Sequence, residues 1–436
     1  MNPELQRNLW LEASPFRLAL ILGLLLLVFS ATSIAPRGLM TTPGTALTLY
    51  WFFAVLWGTR SAALSVVAEI RERTWDGQKL SSIGPWEMVW GKLFGSTAPN
   101  WFGALLCLAV LLATGGGGLI YGVILLAMGV FAQAVALLSS LVLIRRNTGN
   151  WRLDAFLCQV AGIGAAFSYY SLWSSIPAFQ RSGTQSISWW GYDFNLSSFH
   201  LVSLLLFLAW ALIGCRRAMR AELRFANGPY VWLAYLFYIA VYSAGFEALI
   251  GQRLHIPPGF HPTTSKLVYA GITLLASAYS MVFLEPKDPV RLRWLSEQVQ
   301  AGRLYRAFLA LDCWMLSYAA TIATGLLLAV IWAANGSDFS LTVLAVLGFL
   351  TRDIAIFVLM RGRAGGRGDF AALAILGALY LLCPMILSGS HMQGLTFLFL
   401  PTQPATLNLV AAWLEAGAAT VLALHSTGLI NRSRLQ

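Results

Sequence analysis

The chain has 436 residues, 58% of them hydrophobic and only 11% charged, which excludes an ordinary soluble globular domain. Its mean hydropathy of +0.69 and its repeated apolar runs, each about 20 residues and so long enough to cross a hydrocarbon core of roughly 30 Å, predict an all-α polytopic membrane protein. The net charge of +11 does not call for a nucleic-acid partner: the basic residues are spread over short loops and form no single patch, so membrane lipid is the expected environment.

The opening stretch, "MNPELQRNLWLEASPFR", mixes Glu4, Arg7, Glu12 and Arg17 ahead of the first apolar run without a small-residue cleavage site. That pattern predicts a retained anchor and not a cleaved signal peptide. Twelve spans follow, at 17–35, 46–67, 93–113, 118–144, 153–175, 198–215, 230–250, 267–284, 308–333, 340–360, 369–388 and 406–427. The loops between them alternate in charge. Those at 68–92, 145–152, 216–224, 287–306, 361–367 and 432–434 carry the Lys and Arg clusters, whereas the alternate loops hold only Arg37, Arg181, Arg253 and Lys266. The positive-inside rule then predicts a multi-pass protein of the cytoplasmic (inner) membrane with both termini cytoplasmic.

Several features recur at a near-constant offset. Glu69 and Glu285 each open a charged segment, Arg145 and Arg361 a short basic loop, Asp154 and Asp369 close that loop, and Arg217 and Arg432 follow the last span of their half; the separations are 215 or 216 residues. The expected organisation is two parallel six-span halves, 1–225 and 226–436, related by an axis along the membrane normal.

The segment 68–95, "AEIRERTWDGQKLSSIGPWEMVWGKLFG", lies between two apolar runs and is densely charged. It reads as a charged cluster, a turn at "SSIGP", and a helix opening at Pro85 that runs into the next span. The order of Glu69, Arg71, Glu72, Thr74, Asp76, Leu80, Pro85, Glu87, Gly91, Lys92 and Leu93 resembles the cytoplasmic coupling segment of type-2 ABC-exporter permeases, and "NPELQRNLW" resembles the short interfacial helix that opens them. The resemblance implies a six-span membrane domain whose coupling residues, here Glu69, Arg71, Glu72, Thr74, Asp76, Leu80, Glu87 and Lys92, dock on a separate ATPase subunit. For a tandem fusion it implies two ATPase copies per chain. Trp75 stands where a small aliphatic residue is commoner, Gln78-Lys79 replaces an apolar pair, and the second half retains only a divergent segment at 285–306.

The chain contains no Gly-x-x-x-x-Gly-Lys-[Ser/Thr] loop, so it is expected to be a transport subunit and not an ATPase. Scattered histidines and the absence of His-Glu-x-x-His or Gly-x-Ser-x-Gly predict no catalytic centre, metal site or cofactor. The five cysteines, all within apolar runs, read as small buried residues. Within the spans, Arg352, Asp353 and Glu415 are either part of a translocation path or proton relay, or a structural ion pair joining Glu415 to Arg352. The two loops between the fifth and sixth spans of each half carry Trp189, Trp190, Phe397 and Phe399; they are either short re-entrant helices forming an outer gate, as the resemblance implies, or interfacial anchors. The apolar walls suit an apolar or amphipathic substrate. A secondary transporter and a polytopic enzyme acting on lipid-linked substrates are the alternative readings.

Overall fold

The computed structural model describes residues 2–34, 41–144, 151–179, 186–246, 262–337, 339–401 and 405–428. Arg37, Arg145, Arg181, Arg253 and Arg432 lie outside them. The chain is a helical, multi-pass membrane protein: among the described residues ten helices are long and apolar enough to cross a bilayer, and an eleventh arises if one bent pair forms a single span. It divides into two compact units, residues 1–187 with 193–227, and residues 188–192 with 228–436.

The first unit begins with α1 (Pro3–Glu12), capped by Asn2, whose side chain accepts the backbone N–H groups of Glu4 and Leu5. It continues through α2 (Pro15–Ile34), α3 (Thr42–Arg71), the short α4 (Trp75–Lys79), α5 (Pro85–Gly95), α6 (Ala98–Ala113), α7 (Leu119–Ile144), α8 (Trp151–Phe179) and α9 (Leu196–Glu222). The predicted span 93–113 is therefore the bent pair α5 and α6, which meet at 56°. The bend has local causes. The hydroxyls of Ser96 and Thr97 bond the carbonyls of Lys92 and Leu93, and Pro99 in the first turn of α6 has no N–H to continue the ladder.

α7 is the most enclosed of the unit's spans, 61% buried, with α3, α8 and α9 packed around it. Its one strongly polar residue in mid-helix, Gln133, is fully buried. It is accommodated because α3 widens over Trp51–Trp57, where i→i+5 spacing releases carbonyls from the regular ladder. Gln133 donates to the Ala54 carbonyl at 2.8 Å and accepts from the Trp101 indole at 2.9 Å; Gln159 and the Thr59 hydroxyl take the neighbouring carbonyls of Leu56 and Val55.

The second unit contains α10 (Tyr230–Ala244), α11 (Pro262–Leu284), α12 (Pro289–Gln300), α13 (Leu304–Leu309), α14 (Cys313–Ala334), α15 (Phe339–Ala364), α16 (Gly368–Gly389) and α17 (Ala405–Ser426). α10 has only 15 residues, short for a span; most of the rest of the predicted span 230–250 lies outside the described residues. α15 is the central helix, 67% buried. It approaches α17 closely because small residues line the contact: a Cβ on Gly348 would stand 3.0 Å from that of Ala412, and Ala345, Ala416 and Ala423 are also buried.

Of the short re-entrant helices that the resemblance implies at the two long loops, none occurs at 186–195, whereas the second loop does contain a short helix. The first loop is a hairpin of β1 (Ser186–Trp189) and β2 (Tyr192–Asn195), turning at Trp190 and Gly191 with φ of 54° and 81°. Two positive φ values in a two-residue turn give the strand twist a hairpin needs. The second loop contains a short 3-10 helix, Gln393–Leu398.

Candidate functional site

The charged segment of the first unit is built around one buried ion network. Lys92, on α5, has no solvent-exposed side-chain surface. Its ammonium contacts the Glu69 carboxylate, Glu4 Oε1 at 3.3 Å, Gln78 Oε1 at 3.1 Å and the Ser65 carbonyl at 3.4 Å, and lies 5.1 Å from the Trp75 ring centre. Glu69, only 14% exposed, also accepts from Arg7 at 2.5 Å and from Gln78 at 2.6 Å. Two acids and two bases thus neutralise one another where α1, α3, α4 and α5 meet, the condition under which charges are tolerated away from water. Trp75 seals the network from one side and belongs to the unit's main apolar core.

α1 reaches this network because α5 offers it two glycines. A Cβ at Gly91 would lie 2.8 Å from the Leu5 nitrogen, and one at Gly95 2.6 Å from the Asn8 Cβ. Asn8 then donates to the Gly91 carbonyl at 3.2 Å and Asn2 to the Glu87 carbonyl at 2.7 Å.

The predicted coupling residues accordingly divide in function. Glu69 and Lys92 are internal: the Glu69 carboxylate is held by Arg7, Gln78 and Lys92, which leaves it little free face to offer. Glu87 caps its own helix by accepting the Gly84 N–H at 3.1 Å. Outward-facing are Arg71, stacked 4.7 Å over the Trp151 ring, Glu72, Thr74, Asp76, paired with Lys79 at 3.3 Å, and Leu80, which is 88% exposed. Glu4, Arg7, Asn8 and Gln78 were missed as partners. For the first three the only trace in the sequence is polarity at i, i+3 and i+4 in α1; Gln78 stood out only as a polar residue in place of an apolar one. Arg60, exposed within the long span α3 and without a carboxylate partner among the described residues, was also missed, although a lone charge in an apolar run is a legible signal.

The segment 285–312 of the second unit uses its charges differently. Lys287 is buried against Asp369 Oδ1 at 2.9 Å and the Phe357 ring at 5.2 Å, and Asp369 also faces Arg361 at 3.8 Å. Glu285 accepts the Trp314 N–H at 3.0 Å, in the first turn of α14. Asp312 pairs with Arg291 at 2.9 Å. Burial, reinforced by the neighbouring Glu285 carboxylate, nevertheless pushes the Asp312 carboxyl up to about 7, against the pull of Arg291.

Within the membrane-spanning part of the same unit, Arg352, Asp353 and Glu415 come together with two tyrosines. Arg352, 3% exposed, holds Asp353 Oδ1 at 2.9 Å and Glu415 Oε2 at 2.6 Å, and its guanidinium stacks 4.7 Å from Phe349 and 5.1 Å from Tyr380. Asp353 Oδ2 accepts from Tyr279 and Tyr380, each at 2.7 Å. Both oxygens of the buried aspartate are satisfied, and the cluster ties α11, α15, α16 and α17 together at one point. Neither tyrosine stood out in the sequence.

The loop aromatics are anchored in the second unit. Trp189 donates its indole N–H to the Tyr242 carbonyl at 3.1 Å and Trp190 to that of Val241 at 3.2 Å, with Lys266 4.9 Å over the Trp190 ring. These bonds offset the positive φ of Trp190. Phe397 and Phe399 are half-buried at the end of the 3-10 helix, which Asn408 holds by donating to the Phe397 and Leu400 carbonyls. The cysteines form no disulfide, Cys107, Cys158 and Cys215 being buried, and no group of three or more metal-ligating side chains occurs among the described residues. Comparison of the chain with protein-family models, with curated proteins and with solved structures gives no match.

Proposed function

We propose that the chain is the membrane-spanning permease subunit of a type-2 ABC exporter, moving an apolar or amphipathic substrate with energy from a separate ATPase subunit. One observation carries this reading: the Glu4–Arg7–Glu69–Lys92 network, in which all but Arg7 are largely buried, clamps residues 68–95 into a preformed shoulder that presents Glu72, Asp76 and the exposed Leu80. A rigid loop with outward charges and one projecting apolar side chain suits register-specific docking of a soluble protein, because preorganisation lowers the ordering cost and complementary charge selects the partner. In this reading the charged loops and both termini are cytoplasmic and the membrane is the inner one.

The tandem arrangement of two six-span halves draws support from the division near residue 227 and from the equivalent order of the most enclosed helices, α7 and α15. Such a chain takes two ATPase subunits per copy. The hairpin at 186–195 and the 3-10 helix at 393–398 then serve as gate elements through Trp189, Trp190, Phe397 and Phe399. An ion-coupled secondary transporter is the second reading, favoured by the intramembrane carboxylates; against it, Asp353 and Glu415 are held by Arg352 and two tyrosines in the manner of a structural cluster.

The test is reconstitution of the purified full chain with and without its candidate ATPase subunit, followed by hydrolysis and native mass measurements. The expected result is no hydrolysis by the chain alone, hydrolysis responsive to the complex, and one chain with two ATPase copies. Robust hydrolysis by the chain alone, or transport driven by an ion gradient without any ATPase, overturns the proposal.

A further inference from the structure

We infer that residues 289–309 of the second unit form a binding surface for anionic phospholipid headgroups, an inference independent of the transport reading. The segment is tethered closely at both ends: four residues separate it from the end of α11 at Leu284, and three from the start of α14 at Cys313. Connections this short reach no more than about 18 Å even when fully extended, and Arg291 shortens the second by bonding Asp312 and the Ala310 carbonyl at 2.9 and 2.7 Å. Two helices pinned in this way between membrane-spanning helices lie along the boundary of the bilayer.

Their faces match that position. Leu292 and Leu295 turn inward, Leu292 onto the core around α11 and α15. Val290 and Trp294, one turn apart, are exposed, and after the turn at Gly302, with φ of 71°, α13 exposes Leu304 and Tyr305. A soluble surface would leave these side chains in water, whereas the headgroup boundary accepts aromatic and aliphatic groups beside arginine.

The charge that faces outward is basic because the acids are engaged elsewhere. Asp288 caps α12 by accepting the Val290 N–H at 2.9 Å, Asp312 holds Arg291, and Glu285 binds the first turn of α14. Arg293, Arg303 and Arg306 have no carboxylate partner among the described residues, and the Arg293 Nε is buried without a bond; Glu297 also lies on the exposed side. Basic side chains held at the headgroup level attract anionic lipid, at roughly fivefold in occupancy for each arginine. The first unit's segment differs in charge: beside Arg71 and Arg73 it exposes the acids Glu72 and Asp76.

The full chain in phosphatidylcholine nanodiscs, with and without phosphatidylglycerol, tests the inference by hydrogen exchange over 289–309 and by native mass spectrometry of retained lipid. Phosphatidylglycerol is expected to slow exchange in this segment, high salt to weaken the effect, and the Arg293→Gln/Arg303→Gln/Arg306→Gln variant to abolish it, with retained phosphatidylglycerol falling on the order of a hundredfold. The Arg303→Gln/Arg306→Gln variant alters only exposed side chains and is expected to lose about 25-fold. Equal exchange in the two lipids, or wild-type retention by both variants, overturns the proposal; protection gained only from a soluble protein would assign the surface to that partner instead.

Discussion

Replacing Lys92 with methionine keeps most of the side-chain volume and removes only the charge, so it isolates what the ion network contributes. In the wild type the ammonium faces Glu69 and Glu4, and both carboxylates are largely shielded from water. Removing one partner of a buried ion pair costs about 3–5 kcal/mol, because the other charge stays buried and uncompensated. Arg7 remains within 3.0 Å of Glu4 and 2.5 Å of Glu69, which places the loss near the lower end, about 3 kcal/mol, equivalent to about 150-fold more local opening. Hydrogen exchange of the nanodisc-embedded protein reads this directly: amides in α1 and in 68–95 are expected to exchange about two orders of magnitude faster, with α7 unchanged. Glu69→Gln should cost less, about 1 kcal/mol, since Lys92 keeps Glu4 and Gln78 and the amide still accepts a bond. The double variant should lose less than the sum of the two. Exchange in Lys92→Met within a few-fold of wild type, or Glu69→Gln as damaging as Lys92→Met, would refute the network as the element that shapes this segment.

The charge reversal Glu72→Lys/Asp76→Lys acts on exposed side chains and should alter stability by no more than about 0.5 kcal/mol, while abolishing co-purification of the ATPase subunit; capture equal to wild type would remove these residues from the docking surface. In the intramembrane cluster, Arg352→Met leaves Asp353 and Glu415 without their cation and is expected to cost about 3–5 kcal/mol, whereas Glu415→Gln keeps a bond to Arg352 and costs about 1 kcal/mol; the ratio of the two, read from thermal inactivation in detergent, is the check. Asp312 holds its proton more tightly in the folded chain, up to about 7, than an unfolded aspartate near 3.9 does. Its stabilising contribution is therefore complete below about pH 4 and declines as pH rises to about 7, by up to about 1.4 kcal/mol per pH unit. Asp312→Asn should flatten the stability profile across that window, and an unchanged profile would assign the dependence elsewhere.

The membrane class and the approximate placement of the long helices were legible in the sequence because hydrocarbon imposes a local requirement: a span needs about 20 apolar residues in a row whatever its neighbours are. Span integrity was less legible. The bend between α5 and α6 depends on two hydroxyls and one proline within four residues, and α3 runs to 30 residues because its wide turns are stabilised by glutamines from α7 and α8. The loops between the fifth and sixth spans read as re-entrant helices or interfacial anchors, but hairpin and short 3-10 helix were decided by where Trp189, Trp190 and Asn408 found carbonyls to bond.

Composition also identified 68–95 as a segment whose charges needed an explanation, and Arg352 with Glu415 as costly inside a span. The sequence offered the Arg352–Glu415 pair only as one of two alternatives, and it offered no partner for Glu4 or Glu69. Arg7 and Glu69 are 62 positions apart, and such a pairing exists only once helices pack. Tertiary structure therefore decided that Glu69 and Lys92 are internal while Glu72, Asp76 and Leu80 are presented. The physical reason is that hydrophobic run length acts residue by residue along the chain, whereas the neutralisation of a buried charge requires a partner delivered by another helix.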